Sequence, residues 1–268
     1  MSDIDGQVRR WDALHYPGTA TLRNIPGIQD HRLWLTVEAT LTAYRTAEVP
    51  ITGYGEPTVA EEVSAIHSHI FQDCYTWAGQ FRTVDIAKED SSFIAHGAIV
   101  DRLSELDGIV AALDELDYDD KLEVLAYTHS ELNQIHPFAE GNGRTTRAFM
   151  AAIAARHDVA IEWGEDHTAL HRVSRESMAG EVPTWQPFHS LYQDVCTPAE
   201  FDDSISIDDI LGSATTIDAE ASPTLPPSFT AAITTMRTAL DTRAIETATA
   251  PGAAVADPVQ VDEPSPEL

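Results

Sequence analysis

The sequence predicts a mainly helical, all-α fold that carries one short β-hairpin. Three segments, residues 31–47, 59–71 and 122–135, place apolar residues at the spacing of one helix face. A fourth, residues 99–116, repeats leucine and valine in the same way. Residues 83–93 instead alternate apolar and polar side chains around a Lys-Glu-Asp turn, which is typical of a hairpin.

The first 57 residues are predicted to form a helical extension that packs on the core. Residues 1–30 contain several turn signals and few apolar anchors. Residues 31–47 follow Asp30, a residue that suits the N-cap of a helix. The loop at residues 50–58 is given no catalytic role. The helix face predicted to be buried consists of Leu33, Trp34, Val37, Leu41 and Tyr44.

Residues 58–196 are predicted to form the central domain. His67 and His69 lie two residues apart in its first helix and cannot share a helix face, so a metal-binding pair is not expected and both are assigned to the surface. Cys74 is assigned to an apolar helix as a small buried residue. Further helices are predicted at residues 167–179 and 184–195.

Beyond residue 196 the chain becomes acidic and poor in large apolar residues. Residues 197–227 are predicted to be an acidic linker, and residues 228–248 a single C-terminal helix. Residues 249–268 are rich in proline, alanine and acidic residues, and we predict that this tail is disordered.

The formal net charge of −28 argues against an electrostatic grip on nucleic acid, which would need a basic face. Lysine is rare, with only Lys88 and Lys121 among the 16 basic residues. This balance is typical of proteins from salt-loving microbes, in which concentrated cations screen the self-repulsion of the chain. A basic partner protein is the alternative explanation, and the halophilic one is favoured.

The sequence lacks an apolar run as long as a membrane span, and its N-terminus lacks an apolar leader, so a cytoplasmic protein without membrane contact is expected. Cys74 and Cys196 have neither the spacing of a zinc site nor the density of a disulfide scaffold. His167 and His171 have a spacing that can bind a metal, but the sequence offers no evident third ligand, and a metal site is not predicted there.

The most informative stretch is residues 136–147, HPFAEGNGRTTR, which joins two predicted helices. Pro137 ends the first helix, because proline disfavours helical backbone at the preceding residue and lacks an N–H. Gly141 and Gly143 permit a tight turn and the close approach of a ligand. The second helix then begins, and the N–H groups and the positive dipole at its N-terminus suit a phosphate.

Four side chains of this stretch suit phosphate chemistry. Arg144 and Arg147 share one face of the first helical turn and can grip phosphate oxygens. Glu140 offers a hard carboxylate to Mg2+, and His136 is the residue type best suited to accept a proton near neutral pH. Taken singly, each also fits an ordinary turn or a solvated helix end. Arginines at a helix N-terminus are unfavourable without an anion, so together they indicate a phosphoryl- or nucleotidyl-transfer site.

Residues 136–147 match the Fic-family signature H-x-F-x-[D/E]-G-N-G-R-x-x-R at every position, and residues 66–96 resemble that family's helix, Trp-Ala-Gly turn and substrate-binding flap. The resemblance implies the mainly helical Fic fold. It also implies a protein adenylyltransferase, which moves AMP from Mg-ATP to a hydroxyl side chain of a target protein. Gly141 stands where the Doc branch, which phosphorylates its target, has lysine.

The resemblance also implies a role for each signature residue. His136 is similar to the base that deprotonates the target hydroxyl, Phe138 to the anchor that holds the loop in the core, and Glu140 to the Mg2+ ligand. The residues that follow are implied to bind the nucleotide phosphates. Gly141, Asn142 and Gly143 would form an anion-binding nest, Arg144 would contact the β- and γ-phosphates, and Arg147 would help to place the γ-phosphate.

The flap is implied to bind a segment of the target protein by main-chain strand pairing. Such pairing would place the target hydroxyl near His136 without demanding a particular sequence, so the target stays open. The flap residues are Thr83, Val84, Asp85, Ile86 and Lys88.

Many Fic proteins are held inactive by a helix bearing [S/T]-x-x-x-E-[G/N], whose glutamate pairs with the second signature arginine, here Arg147. Thr242 and Glu246 fit this motif, but Thr247 departs from it at the last position. We therefore favour a separate small antitoxin that supplies the glutamate, or no inhibitor, over self-inhibition. With an antitoxin, the protein would be the toxin of a toxin–antitoxin pair.

Other functions of the same site stay open, because the signature reads phosphates and not the nucleobase. UTP, GTP or a phosphocholine compound could be the donor, or the protein could be a Doc-like protein kinase. A catalytically silent module that binds nucleotide or protein is the non-enzyme alternative. The intact His136 and Glu140 argue against it, because a silent module has no need of a base.

Overall fold

The computed structural model of the chain describes residues 3–88, 91–164, 167–179 and 184–199. In these ranges the protein is mostly helical, so the predicted fold class is confirmed. The helices are α1 (Asp3–Ala13), α2 (His31–Ala47), α3 (Val59–Phe71), α4 (Ile99–Glu105), α5 (Asp107–Ala111), α6 (Tyr118–Ile135), α7 (Asn142–Arg156), α8 (Thr168–Met178) and α9 (Gln186–Val195).

Two short antiparallel sheets accompany the helices. Strands β1 (Ala87–Lys88) and β2 (Ser91–Ser92) pair with Ala87 opposite Ser92, which forms the predicted hairpin within residues 83–93. Strands β3 (Val159–Ile161) and β4 (Cys196–Pro198) pair with Ala160 opposite Thr197. The second sheet was not predicted, because each strand has three residues, too few to show a period of two.

The core is centred on α6 and α7, the two helices that flank the signature loop. Helix α6 packs against α7 and α9, and α3 packs against α7 and α2. Large apolar side chains fill the space between them and are almost fully buried. They include Leu125, Leu132, Ile135, Phe149, Met150 and Ile153. The two ends of the signature loop are therefore fixed by the most deeply packed helices of the described chain.

Helix α2 has the predicted bounds and the predicted cap, since the Asp30 side chain accepts a hydrogen bond from the Leu33 N–H. The predicted buried face was wrong in part. Tyr44 is 36% exposed, whereas Glu38 and Thr42 are buried with Trp34 and Val37. The helix is thus rotated towards two polar residues, because these residues pair with an arginine of the signature loop.

Two other predictions are corrected, and one helix within the predicted helical extension had not been placed. The single helix expected at 99–116 is broken into α4, α5 and a 3-10 turn, and the Asp107 carboxylate at the break accepts a hydrogen bond from the Val59 N–H at 2.8 Å. The first 30 residues contain a helix, α1. Cys74 is buried as expected, but it lies in the turn after α3 and not in a helix.

The helices of the described ranges are all too short or too polar to cross a membrane. The predicted helix at 228–248 and the predicted tail at 249–268 lie outside the described residues, as does the predicted linker from residue 200 onward.

Candidate active site

The candidate site lies in the turn between α6 and α7. Helix α6 ends at Ile135, and His136 adopts a left-handed conformation with φ 44° while its N–H still donates to the Leu132 carbonyl at 3.0 Å. Gly141 is also left-handed, with φ 84°, and α7 begins at the next residue. Two sharp reversals therefore bring the end of one helix close to the N-terminus of the next.

Arg82 holds this turn from below, with its side chain fully buried. Its guanidinium donates to the carbonyls of Ile135 at 3.2 Å and His136 at 2.9 Å, which are the last carbonyls of α6. It also donates to the carbonyls of Val84 at 2.7 Å and Ile94 at 2.5 Å, on the two arms of the flap. One cation thus joins the signature loop to the segment that is predicted to be the flap. Burial lowers the Arg82 pKa, and Asp85 opposes that shift.

The assignment of His67 to the surface was wrong, because His67 is fully buried beneath the loop. Its Nδ1 accepts a hydrogen bond from the Gly79 N–H at 2.8 Å, so Nε2 carries the proton and donates to the Glu140 carbonyl at 3.1 Å. Its ring stacks on Phe138 with centroids 3.8 Å apart. Burial lowers the His67 pKa to about 4, and the imidazole is therefore neutral at pH 7.

Phe138 and Asn142 hold the loop from within. The Phe138 side chain is fully buried. The Asn142 side chain accepts from the Phe138 N–H and donates to the Phe138 carbonyl, both at 2.8 Å. The Asn142 amide group is therefore used to close the loop, and only its backbone N–H, with that of Gly143, remains suited to a nest for an anion.

The ring of His136 is half-buried and stacks on Phe93, with centroids 3.9 Å apart and planes 14° from parallel. Phe93 follows strand β2, so the candidate base contacts the returning arm of the flap. A general base must lie beside the group that it deprotonates, and the flap is the element implied to hold that group.

The two signature arginines have different environments. Arg144 donates to Glu38 at 2.5 Å and to Glu140 at 3.1 Å, and these carboxylates raise its pKa against the opposing effect of burial. Arg147 is half-buried and forms no ion pair with a carboxylate within the described ranges. Burial, with a contribution from Arg144, lowers the Arg147 pKa to about 10.

Arg147 therefore lacks the anion that a cation at a helix N-terminus requires, at least among the residues that the structure describes. The first N–H groups of α7, those of Asn142 and Gly143, lie on the same turn and have no acceptor within the helix. A phosphate would satisfy all three groups.

Glu140 fits the part of a cation ligand. Its side chain is 26% exposed, and Oε1 accepts from the Gly141 N–H at 2.8 Å as well as from Arg144. Within the described residues, no group of three histidine, cysteine or acidic side chains is placed to hold a metal ion unaided. Mg2+ commonly uses one or two carboxylates and completes its coordination with phosphate and water, so a single glutamate beside a phosphate site is sufficient.

The predicted flap residues lie in one segment beside the site, which bends at Thr83 and Val84 before it enters β1. Val84 and Ile86 turn their carbonyls inwards, to Arg82 and to the N–H of Phe93. Val84 is buried, Thr83 and Asp85 are exposed, and the backbone of Lys88 lies in β1.

The outer side of this segment is covered by α1. The Arg10 Nε donates to the Thr83 carbonyl at 3.1 Å. The Gln7 amide accepts from the Asp85 N–H at 2.6 Å and donates to the Asp85 carboxylate at 3.1 Å. The backbone N–H of His96 donates to that carboxylate at 2.7 Å and the His96 ring also hydrogen-bonds it; these bonds, with a smaller contribution from Gln7, lower the Asp85 pKa to about 2. Thr242 and Glu246, the candidate inhibitory residues, lie outside the described residues.

Sequence reasoning missed Arg82, His67 and Glu38. His67 and Glu38 are polar residues in predicted helices, and the apolar periodicity of those helices gives no sign that a polar residue is buried. Arg82 follows a turn, and no sequence pattern distinguishes it from a surface arginine. The available signal was indirect: the signature loop presents carbonyls and an arginine that need buried partners.

Comparison with known proteins places these observations in a family. Residues 57–154 match the Fic/DOC family. The chain is 32% identical over 168 residues to protein adenylyltransferase VbhT of Bartonella schoenbuchensis, which is 61% of this chain and 35% of VbhT, so it spans about a third of that relative. It is also 32% identical over 207 residues to the probable protein adenylyltransferase Fic of Salmonella typhimurium, which is 74% of this chain and 98% of that protein.

The fold is similar to solved structures of Bartonella effector proteins. BepC of Bartonella tribocorum, determined with bound AMPPNP, superposes with a TM-score of 0.62 at 22% identity and covers 70% of this chain and 98% of its own. The type IV secretion system effector protein BepA superposes with a TM-score of 0.61 at 22% identity, and the match covers 79% of this chain and 75% of BepA. At these identities the likeness concerns the fold alone. With the family match and the near-complete coverage of the Salmonella protein, the chain belongs to the Fic/DOC family.

Proposed function

We propose that this protein transfers AMP from Mg-ATP to a hydroxyl side chain of a target protein, with His136 as the base. It is a protein adenylyltransferase, the activity that the names of its relatives from Bartonella schoenbuchensis and Salmonella typhimurium carry. The single observation that carries the proposal is the turn itself. It sets His136 at the end of α6, against the flap, and Arg147 without a carboxylate partner in the described ranges at the start of α7.

The geometry supports a direct displacement at the α-phosphorus. The His136 ring accepts the proton of the target hydroxyl, whose oxygen attacks the α-phosphorus of ATP. The bond from the α-phosphorus to the bridging oxygen of the β-phosphate breaks, and pyrophosphate leaves with the bonding electron pair. Arg147 and the N–H groups at the start of α7 hold the phosphates and stabilise the charge that develops.

Glu140 would hold the Mg2+ that accompanies ATP, and the ion would neutralise charge on the phosphates. The protein's own contribution is to fix that carboxylate, through the Gly141 N–H and Arg144 on its side chain and His67 on its carbonyl. Glu140 is thus held at three points before a nucleotide arrives.

The flap is proposed to hold the target by main-chain pairing, through Thr83, Val84, Asp85, Ile86 and Lys88. The α1 contacts at Thr83 and Asp85 restrict this proposal, because they occupy a carbonyl and an N–H that a target strand would use. Pairing would therefore begin beyond Ile86, whose carbonyl accepts from the Phe93 N–H, and extend along β1, or it would displace α1.

We propose control by a separate small antitoxin, or no control, because the inhibitory motif at Thr242 and Glu246 is incomplete at Thr247. Under this proposal Glu246→Gly leaves activity unchanged, and a large gain would instead support self-inhibition. The charge of −28 supports a protein that works in concentrated salt inside a halophilic cell.

The decisive experiment compares ATP radiolabelled at the α-phosphate with ATP radiolabelled at the γ-phosphate, with Mg2+ at high salt. Wild type and His136→Ala are incubated with a cell lysate and examined for self-labelling. Label from the α position that disappears in His136→Ala supports AMP transfer. Label from the γ position alone would move the protein to the kinase branch, and a parallel assay with labelled UTP and GTP tests the other donors.

A further inference from the structure

A buried charged cluster links α2 to the signature loop. Glu38 of α2 is only 5% exposed, and each of its carboxylate oxygens has a partner. Oε1 accepts from Nη2 of Arg144 at 2.5 Å, and Oε2 accepts from the Tyr75 hydroxyl at 2.6 Å. The Tyr75 oxygen in turn accepts from the Trp34 indole at 3.2 Å. Glu38 is therefore held in one position by a chain of aromatic donors.

The guanidinium of Arg144 has four partners among the described residues. Nη2 donates to Glu38 and, at 3.1 Å, to Glu140, while Nη1 donates to the Thr42 hydroxyl at 3.0 Å. The ring of Phe71 lies beneath the guanidinium carbon, with its centroid 4.7 Å away. Arg144 thus already has carboxylate, hydroxyl and aromatic partners, whereas Arg147 has no carboxylate partner in the described part of the chain.

We infer that Glu38 is a positioning residue of this site, which holds Arg144 against Glu140 so that Arg144 orients the cation-binding carboxylate and does not grip phosphate. The inference rests on the proposed function, in which Glu140 binds the divalent cation that accompanies ATP. It gives α2 a part in the site, although the N-terminal extension was predicted only to pack on the core.

Charge balance explains why the site needs a second glutamate. Glu38 and Glu140 share one guanidinium, so with both carboxylates ionised the three groups carry one excess negative charge, which a divalent cation at Glu140 would neutralise. Without Glu38, Arg144 would turn wholly to Glu140 and compete with the cation for it. Neutralising Glu38 should therefore weaken cation binding, both through the lost charge and through the redirected arginine.

A different role for Glu38 predicts an opposite change in ligand affinity. If Glu38 were a competitor that keeps Arg144 away from the nucleotide phosphates, its removal would release Arg144 to the ligand. The nucleotide would then bind more tightly. A purely structural Glu38 would change the unfolding midpoint and leave ligand affinities unchanged.

The test uses Glu38→Gln, with Glu62→Gln as the matched control. Glu62 is also a buried glutamate that faces an arginine of α7, but its partner is Arg156, 3.7 Å away in the last turn. Arg156 lies about 18 Å along the helix axis from Arg144, so the control reproduces the burial and the chemistry at the far end of α7. Tyr75→Phe serves as a second variant, since it keeps the charge of Glu38 and removes one anchor.

The affinity for Mn2+ is measured from the paramagnetic resonance signal of the unbound ion, with saturating α,β-methylene-ATP, whose α-phosphate cannot be transferred. We expect Glu38→Gln to bind Mn2+ about tenfold more weakly than wild type, and Tyr75→Phe about threefold more weakly, as outer partners of metal ligands do. Glu62→Gln should bind Mn2+ as wild type does, even where its unfolding midpoint falls.

Three results would overturn the inference: unchanged Mn2+ affinity in Glu38→Gln, tighter nucleotide binding in that variant, or an equal loss in Glu62→Gln. If Glu38→Gln fails to fold, the Mn2+ affinity of Tyr75→Phe decides, and an unchanged affinity in that variant would overturn the inference. The assay is independent of transfer, so a weakened Mn2+ site in a protein without adenylyltransferase activity would refute the proposed function and leave the role of Glu38 standing.

Discussion

The guanidinium of Arg82 donates to the carbonyl of His136 at 2.9 Å, and so a buried cation fixes the backbone of the candidate base. The same group donates to Val84 and Ile94, on the two arms of the flap. Base and flap therefore cannot move independently while these bonds persist. Arg82 therefore helps to set the distance from the His136 ring to a target held on the flap, together with the stacking of His136 on Phe93.

Replacing Arg82 with methionine should impair catalysis more than nucleotide binding. The substitution leaves four carbonyls without their donor, which should lower the free energy of unfolding by about 3 kcal/mol, and the displaced turn should reduce kcat about 100-fold. Transfer kinetics and calorimetry of nucleotide binding measure the two effects separately. Arg102→Met, at a pair on α4 that faces Glu131, is the control. Unchanged kcat in a stably folded Arg82→Met would show that the turn holds without this residue.

Arg147→Met should weaken nucleotide binding without harming the fold. The variant loses a charge-assisted contact to phosphate, which corresponds to about a 10- to 100-fold rise in the Kd for Mg-ATP. Stability should hold or increase slightly, because a half-buried cation that lacks a carboxylate in the described ranges is removed. Arg156→Met, in the last turn of α7, should leave the Kd unchanged. Equal Kd values in wild type and Arg147→Met, measured by calorimetry, would remove Arg147 from the phosphate site.

Two glycines of the signature should respond very differently to alanine. Gly141 has φ 84°, and an added Cβ would lie 2.2 Å from the Cζ atom of Phe71, so Gly141→Ala should cost about 3 kcal/mol of unfolding free energy. At Gly143 the nearest atom to an added Cβ is 3.6 Å away, and Gly143→Ala should stabilise α7 by up to about 1 kcal/mol. Denaturant titration compares the two. Similar values for both variants would contradict the packing of Gly141 on Phe71.

Removing the contacts of α1 with the flap should change how tightly the flap binds a target protein. The double variant Gln7→Ala with Arg10→Ala releases the Asp85 N–H and the Thr83 carbonyl, which then become available to a target strand. We expect a severalfold lower KM for the protein target and an unchanged Kd for Mg-ATP. Arg9→Ala, in the same helix, is the control. A higher KM in the double variant would show that α1 supports the flap and does not compete with the target.

The sequence was sufficient where local chemistry decides the structure. The cap at Asp30, the break at Pro137 and the left-handed Gly141 each follow from a property of one residue and its neighbours, and the structure has all three. The hairpin at residues 83–93 could be recognised for the same reason, since alternation and a turn are local signals.

The sequence was insufficient where a polar residue is buried by a distant partner. Glu38 and Arg144 are separated by 106 positions, and His67 and Glu140 by 73, so no helical period indicates that they meet. A buried polar side chain is favourable only when its partner is in place, and that partner is known only once the helices have packed. These same residues support the site, which is why the loop was predicted better than its surroundings.

The buried His67 should make stability depend on pH. Its pKa is about 4 in the folded protein against 6.5 for an ordinary histidine, so the unfolded chain binds more protons between these values. The stabilisation by neutral His67 is complete above pH 6.5 and is lost as the pH falls towards 4, which amounts to about 3 kcal/mol. His129, whose pKa burial lowers to about 3, acts in the same direction.

The variant His67→Gln isolates this contribution, because glutamine can still donate to the Glu140 carbonyl but does not titrate. Other groups titrate in both proteins, and the carboxylates of a chain with a net charge of −28 gain protons over the same range. The difference in unfolding free energy between wild type and variant, measured at closely spaced pH values from 7 to 4, should therefore shrink as the pH falls below about 6.5, since only wild type loses the histidine term. Parallel curves for the two proteins would mean that the His67 pKa is the same in the folded and the unfolded protein, so that burial does not hold the ring neutral.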